Sequence, residues 1–257
     1  MPTSLGGLWL LPLASCRKCA GVTSYIEGHV AYRIFNEFRL TTGLQSARSR
    51  RRKTKRPTHL LMRVDFGDRV EELEAPLSEH QSTLFLPLFP PPAIFLNQKP
   101  RENWDWVELC GWTQKDNRPW LRMPGVKGVI PKPEFSVRVF ARFLAKIAHS
   151  FACAIVDPAT FDNFLPDLIL GTRSHLPYVI GSEPILPPPI DFFDHHHIRL
   201  RLIRHFGRTL LCARIRMFCG IGADISGSDG TPHYWVVVGE GKEQTLVAQL
   251  REHPRDA

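Results

Sequence analysis

Two cysteines near the start of the chain, Cys16 and Cys19, have the spacing of a metal-binding turn. A Cys-x-x-Cys turn can present two thiolates to one tetrahedral zinc ion, but a structural zinc site needs four ligands. The 257 residues contain no second Cys-x-x-Cys, so the pair supplies half of such a site. Two unliganded thiols in a turn remain the alternative. A thioredoxin-like redox motif is disfavoured, because no βαβ pattern surrounds the pair.

Residues 48–56 form a run of basic residues, which we call the basic segment, and are the second feature with possible chemistry. Seven of its nine residues are Lys or Arg, and it contains no apolar residue that could bury a face. Cations at this density neutralise several phosphates and give salt-sensitive affinity for nucleic acid that does not depend on sequence. A solubilising linker is the alternative. The predicted nucleic-acid-binding residues are Arg48, Arg50, Arg51, Arg52, Lys53, Lys55 and Arg56.

Two further groups of residues have metal-ligating side chains. The run His195–His197 follows Asp191 and Asp194. On a strand its first and third histidines would share one face, which allows two ligands but not a closed site. Cys212 and Cys219 lie seven residues apart in a strand-like segment and would point to opposite faces, so we expect buried thiols there.

The element that positions Cys16 and Cys19 is a predicted helix immediately after them. Apolar residues recur every four positions over residues 22–38, and Gly43 is expected to end the helix. A short apolar run before the pair predicts a strand. Strand, Cys-x-x-Cys turn and helix would form a compact unit over residues 1–47.

The rest of the chain predicts helices beside β-hairpins. A basic linker over residues 48–57 separates the first unit from a C-terminal α+β domain, residues 58–257, whose role the sequence does not assign. The predicted fold class is therefore α+β, with a partial ββα zinc-knuckle unit at the N-terminus followed by a mixed helix/β-hairpin domain. The predicted hairpin strands are 59–65 with 69–74 and 197–204 with 209–218; a further strand is 234–238, and helices cover 134–151 and 158–170.

The helix predicted over residues 134–151 has a basic face. Arg138, Arg142 and Lys146 recur every four residues, and His149 follows three residues later. A helix face of this kind is most often solvated, and that is our interpretation. A ridge that contacts phosphates is the alternative.

Composition limits the class of protein. The net charge is +8, and the basic segment accounts for seven of those charges, which favours one local polyanion-binding site over a basic surface everywhere.

Six scattered cysteines do not form a disulfide framework, so a reducing, cytoplasmic location is expected. No apolar run approaches the roughly 18 residues that span a membrane, so no membrane partner is expected. A lipoprotein-like processing site before Cys16 is disfavoured, since no Lys or Arg precedes it and Pro12 interrupts its short apolar run.

The N-terminal residues resemble the latter half of an HNH endonuclease domain. Pro2 and Leu5-Gly6-Gly7 are similar to the loop that follows the catalytic His in that family, and Cys16 and Cys19 are similar to its second zinc-binding pair. The runs 145–149 and 234–239 also resemble the C-terminal region that accompanies this domain in a bacterial group.

The resemblance implies metal-dependent hydrolysis of DNA phosphodiester bonds. A His would activate water, and Mg²⁺ or a similar divalent cation would stabilise the charge that develops on the scissile phosphate. A structural zinc ion would hold the small ββα unit together, with Cys16 and Cys19 as half of its site.

The same register places the family's general base and first zinc pair before Met1, so we expect this chain to be an incomplete nuclease and we name no catalytic residue. DNA is the expected partner, and no small-molecule cofactor is expected; a non-catalytic nucleic-acid-binding protein or an inactive fragment is the alternative.

Overall fold

The computed structural model describes residues 16–44, 57–80, 82–113, 124–130, 135–183, 196–220 and 230–252. Packing divides these residues into two compact units. The first contains the described residues of His29–Phe85 and Gly111–Phe135, and the second contains those of Leu10–Gly28, Leu86–Cys110 and Ser136–Ala257. The predicted linker over residues 48–57 lies almost entirely outside the described residues, and the predicted boundary there stays a prediction.

The helix predicted after Cys19 is present in three consecutive parts. Helix α1 covers Arg17–His29, a π-helical turn covers Val30–Ile34, and helix α2 covers Asn36–Thr42. Apolar residues spaced by four drift about 40° per turn around an α-helix, because that helix has 3.6 residues per turn. The wider π turn, in which the N–H of Phe35 donates to the carbonyl of Val30, rotates the stripe back. Gly43 then ends the element with a φ of 83°, as expected.

The first unit, to which the π turn and α2 belong, also contains a three-stranded antiparallel sheet. The predicted hairpin is confirmed, with β1 at His59–Asp65 and β2 at Val70–Pro76. Gly67 has a φ of 91° in the turn, a conformation that glycine adopts without a steric penalty. Strand β5, Gly128–Ile130, pairs with the other edge of β1. Strands β3, Thr83–Leu88, and β4, Glu108–Thr113, form a separate two-stranded ribbon.

The second unit is built on a five-stranded antiparallel sheet. Its order is β6-β10-β9-β8, and β7 also pairs with β10. The predicted β8–β9 hairpin and the final strand are confirmed. The strands are β6, Phe161–Asn163; β7, Ile180–Ser182; β8, His196–His205; β9, Arg208–Met217; and β10, His233–Gly241.

Four helices accompany this sheet. The predicted helix over 134–151 is present as α3, Val137–Ile155, and the Oγ of Ser136 accepts a hydrogen bond from its first turn. The rings of Phe140 and Tyr234 lie 5.7 Å apart, so α3 packs on the sheet face that contains Tyr234. The remaining helices are α4, Leu165–Leu170; α5, Leu176–Val179; and α6, Glu243–Glu252.

The predicted helix over residues 158–170 is wrong in its first half. Residues Pro158–Thr160 form a 3-10 turn and Phe161–Asn163 form β6, so only α4 is helical. The reason is tertiary: β10 pairs with β6 along one edge. At that edge a Cβ on Gly239 would lie only 2.2 Å from the carbonyl oxygen of Asp162, so the close approach of the two strands requires a glycine.

The α+β class and the antiparallel hairpins are therefore confirmed. The partial ββα zinc-knuckle unit depends on residues 1–15, which lie outside the described residues, and it stays a prediction. No helix of the described residues is both long enough and apolar enough to cross a membrane.

Candidate functional site

Cys16 and Cys19 lie at the N-terminus of α1 as free thiols. The N–H of Cys19 donates to the Sγ of Cys16 at 3.4 Å, so Cys16 caps the helix. This hydrogen bond lowers the pKa of Cys16, and a hydrogen bond between the two thiols lowers it further while raising the pKa of Cys19. Cys16 is exposed, and the first turn contains no acidic residue. The pair therefore offers two accessible sulfur donors, with Cys16 the more readily ionised.

The two thiols do not meet further metal ligands in the described part of the chain. Among those residues no group of three or more His, Cys, Asp or Glu side chains is arranged to hold a metal ion. Residues 1–15 and the basic segment, with its predicted binding residues Arg48, Arg50, Arg51, Arg52, Lys53, Lys55 and Arg56, lie outside the described residues.

The histidines of the run His195–His197 that are described have contacts within the protein. The Nδ1 of His196 accepts a hydrogen bond from the N–H of Phe218, and the two rings lie 4.9 Å apart. The Nε2 of His197 accepts from the Nε of Arg199 at 3.0 Å. The first histidine of the run, Asp191 and Asp194 lie outside the described residues.

The two cysteines of strand β9 and its end are buried, as predicted. Cys212 and Cys219 have no exposed surface. Burial raises the pKa of Cys212 far above its usual value, which keeps this thiol protonated and unreactive.

The basic face of α3 is neither a solvated face nor a phosphate ridge at three of its four positions, which corrects our interpretation. Arg142 donates from Nε and Nη2 to the carbonyl of Ile169, at the C-terminal end of α4. Lys146 forms an ion pair with Glu27 of α1. Contacts within the protein therefore occupy both cations.

The other two members of this face differ from each other. His149 is half-buried, its Nδ1 lies 3.0 Å from the side-chain nitrogen of Asn163, and burial lowers its pKa. Arg138 is exposed and donates to the side-chain oxygen of Asn103 at 3.3 Å. A solvated face requires all four side chains to be exposed, and of the four only Arg138 is exposed.

A polar cluster at the end of strand β7 was not found from the sequence. The carboxylate of Glu183 accepts two hydrogen bonds from Arg214, at 2.7 and 2.8 Å, and one from the indole of Trp235 at 3.0 Å. The Nδ1 of His233 lies 3.0 Å from the same carboxylate. Burial alone would raise the pKa of Glu183, but the hydrogen bonds from Arg214 and His233 outweigh it and lower the pKa. The side chain is therefore a fixed carboxylate that holds one guanidinium group in place.

The same sheet face contains several further guanidinium groups, and we call it the arginine face. Residues directly opposite each other in antiparallel strands project from the same side of the sheet. Strand register therefore places Arg199 opposite Arg214, and Arg214 in turn opposite Trp235. The alternation along β8 and β9 is visible in the sequence, but their relative register is not. The members of the arginine face are Arg199, Arg201, Arg208, Arg214 and Arg216.

A groove of about 490 Å³ lies in the first unit, with Tyr32, Glu37 and Leu61 among its lining residues. Behind Glu37 lies His80, whose side chain is 1% exposed. The Nδ1 of His80 lies 3.2 Å from the Glu37 carboxylate, and its Nε2 lies 3.2 Å from the carbonyl of Leu60. Both contacts can be hydrogen bonds only when both ring nitrogens are protonated. The hydrogen bond to Glu37 raises the pKa of His80, although burial opposes the shift.

Comparisons of the chain with models of protein families, with curated proteins and with solved structures gave no match. The resemblance to HNH endonucleases thus stays a prediction that depends on the residues quoted for it.

Proposed function

We propose that this protein acts on DNA as an HNH-type endonuclease and that Cys16 and Cys19 are two of the four ligands of a structural zinc ion. The observation that supports the proposal is the arrangement of these two free thiols on the first turn of α1. Zinc prefers thiolate donors, and the lowered pKa of Cys16 favours the thiolate form. The donor set therefore fits half of a zinc site.

A divalent cation such as Mg²⁺ would stabilise the charge that develops on the scissile phosphate. We assign no general base to a described residue. A cytoplasmic location is part of the proposal, because the six cysteines form no disulfide bond, which is typical of proteins in a reducing compartment.

The zinc part of the proposal is tested by measuring metal content. Purified protein should contain zinc, and the Cys16→Ser/Cys19→Ser double variant should lose it. Cys110→Ser is the matched control, because Cys110 is a partly buried free thiol of strand β4, outside the Cys-x-x-Cys pair, and its replacement should leave the zinc content unchanged. Equal zinc content in all three proteins would refute the assignment.

The nuclease part is tested by nicking of supercoiled plasmid with Mg²⁺ or Mn²⁺, with an EDTA control. Metal-dependent nicking that disappears in the cysteine double variant supports the proposal, since loss of the zinc ion would unfold the unit around it. The same result would show that the expectation of an incomplete nuclease is wrong. Absence of nicking with retained DNA binding would refute it in favour of the second candidate.

That second candidate is a protein that binds nucleic acid without cleaving it. The observation that favours it is the basic segment, with seven cations in nine residues. The expected result is DNA binding that weakens steeply with salt, because each contacted phosphate of duplex DNA contributes about 0.9 to the slope of log affinity against log salt concentration. Replacing Arg50, Arg51, Arg52 and Lys53 by Ala should make that slope shallower; an unchanged slope would refute this role for the segment.

A further inference from the structure

The β8–β9 hairpin combines exposed arginines on one face with an exposed aromatic ring at its tip. We propose that the arginine face binds the phosphates of single-stranded nucleic acid through Arg199 and Arg201, and that the ring of Phe206 stacks on a base. The inference rests on the proposed function in one respect, that the partner is nucleic acid. It adds a second contact surface, in a different part of the chain from the basic segment.

The arginines of the two strands differ in how their charges are compensated. Like charges directly opposite each other in an antiparallel sheet are destabilising, and Arg199 lies directly opposite Arg214. Glu183 compensates the charge of Arg214 through a bidentate ion pair. Arg199 instead donates to the neutral acceptor Nε2 of His197. Its charge therefore has no carboxylate partner among the described residues, and a bound phosphate would supply the missing compensation.

The two faces of strand β8 contain different kinds of arginine. Arg199 and Arg201 are two residues apart and lie on the same face, and both are exposed. Arg204 lies on the other face and forms an ion pair with Glu243 of α6. The same strand thus contains one ion-paired arginine on its other face and two exposed arginines on the proposed binding face, and spacing by two residues suits contacts to successive phosphates.

A phenylalanine occupies the tip of the hairpin. Phe206 has a φ of 45° and precedes Gly207, which has a φ of 73°. A two-residue hairpin turn with positive φ at both positions favours Asn or Gly, and a bulky side chain there is strained. The ring is also 69% exposed. Neither local conformation nor burial explains a phenylalanine at this position, whereas contact with a flat ligand does.

Aromatic rings continue from the tip across the arginine face. The ring of Phe206 lies 4.4 Å from that of His205. Phe95, from the 3-10 turn Ala93–Leu96, lies 5.9 Å from His205 and 6.1 Å from Trp235. Guanidinium groups beside aromatic rings are the combination by which proteins bind single strands, with cations on the phosphates and rings on the bases. An acidic peptide would need the cations but not the exposed ring.

The test is fluorescence anisotropy with a labelled single-stranded DNA of mixed sequence at several salt concentrations. Arg199→Ala/Arg201→Ala should weaken binding about tenfold or more at 0.1 M salt. It should also make the slope of log affinity against log salt shallower by about 1.4, because each phosphate contact on a single strand contributes about 0.7. The matched control is Arg173→Ala/Arg204→Ala, which removes the same charge from two exposed, ion-paired arginines and should stay within about twofold of the wild type.

Phe206→Asn tests stacking separately from folding. Asn is a favoured residue for the turn, so this variant should fold at least as stably as the wild type. It should nevertheless bind the strand about fivefold or more weakly, since base stacking on an aromatic ring contributes directly to single-strand affinity. Unchanged affinity in this variant would overturn the stacking part of the inference.

Two further arms separate the inference from the proposed function. If the Ala variant of Arg50, Arg51, Arg52 and Lys53 loses binding while Arg199→Ala/Arg201→Ala binds like the wild type, the inference is overturned and the proposed function survives. If the wild type binds no nucleic acid, both fail. Binding to phosphatidylserine vesicles that depends on Arg199 and Arg201, without binding to DNA, would also overturn the inference.

Discussion

The ion pair between the buried side chain of His80 and the half-exposed side chain of Glu37 predicts how the stability of the first unit depends on pH. The folded environment raises the pKa of His80 above the unfolded value of about 6.5, because Glu37 and the carbonyl of Leu60 both accept from the imidazolium. The pair therefore stabilises the folded state fully below about pH 6.5, and this contribution is lost as the pH rises through the folded pKa. We expect the first unit to be less stable at pH 9 than at pH 6.

The perturbation that isolates this effect is Glu37→Gln. A hydrogen bond to a charged group contributes about 1.5–3 kcal/mol, but the Glu37 side chain is 52% exposed, and exposed pairs contribute about 1 kcal/mol or less. We therefore expect a loss of about 1 kcal/mol at pH 6. The difference between the variant and the wild type should shrink as the pH rises through the folded pKa of His80, because the neutral imidazole no longer forms the ion pair.

The measurement is amide hydrogen exchange of peptides that cover α2 and β1, combined with urea unfolding at pH 6 and pH 9. Glu74→Gln is the control, since Glu74 is an exposed carboxylate of β2 in the same unit. It should show a small effect that is the same at both pH values. Equal destabilisation by Glu37→Gln at pH 6 and pH 9, or wild-type stability that does not fall between them, would refute the reasoning.

Three further predictions follow from local geometry. Cys16 should be alkylated by iodoacetamide at lower pH than Cys19, as measured by mass spectrometry of the labelled peptides, and preferential labelling of Cys19 would contradict the assigned pKa shifts. Glu183→Gln should lower stability by about 2 kcal/mol at pH 7 and by less at acidic pH, because a carboxyl with a lowered folded pKa stabilises the fold fully above its unfolded pKa and loses this contribution as the pH falls through the folded pKa. A loss that is independent of pH in urea titrations would argue against it. Gly181→Ala should destabilise the protein by more than about 2 kcal/mol, since a Cβ there would lie 2.4 Å from a backbone carbonyl oxygen. Gly28→Ala in α1 has open space around the new Cβ and should raise the melting temperature. Equal melting temperatures for these two variants would contradict the packing.

Local patterns predicted the elements that depend on nearby residues. The β8–β9 hairpin followed from alternation on both sides of Phe206-Gly207, because a turn and a period of two are short-range signals. The stripe from Val22 to Phe38 predicted the helical segment, and its spacing of four, wider than that of an α-helix, is accommodated by the π turn. The helix prediction for residues 158–170 failed because pairing with a strand about 80 positions further along the chain decided the structure of their first half.

The candidate sites also differ in whether they depend on residues that are near or distant in sequence. The spacing of Cys16 and Cys19 is visible in the sequence, and the helix that follows explains why Cys16 is the more acidic thiol. The cluster of Glu183 with Arg214 and His233 joins three segments that are distant in sequence, so no local pattern predicts it. The arginine face is likewise a property of register: Arg199 and Arg214 become neighbours only when the two strands pair.

The β8–β9 hairpin is one part of the described fold where local rules and structure disagree. A sheet that was selected only for stability would not place Arg199 opposite Arg214, nor a phenylalanine with positive φ at the tip. Sequences generally satisfy such local preferences, and departures concentrate where a ligand compensates for them. Because a polyanion with flat bases would compensate for both departures at once, one ligand is a simpler explanation than two unrelated defects. If Phe206→Asn stabilised the fold and left DNA binding unchanged, the ring would lose its role in binding while the charge argument for Arg199 would stand.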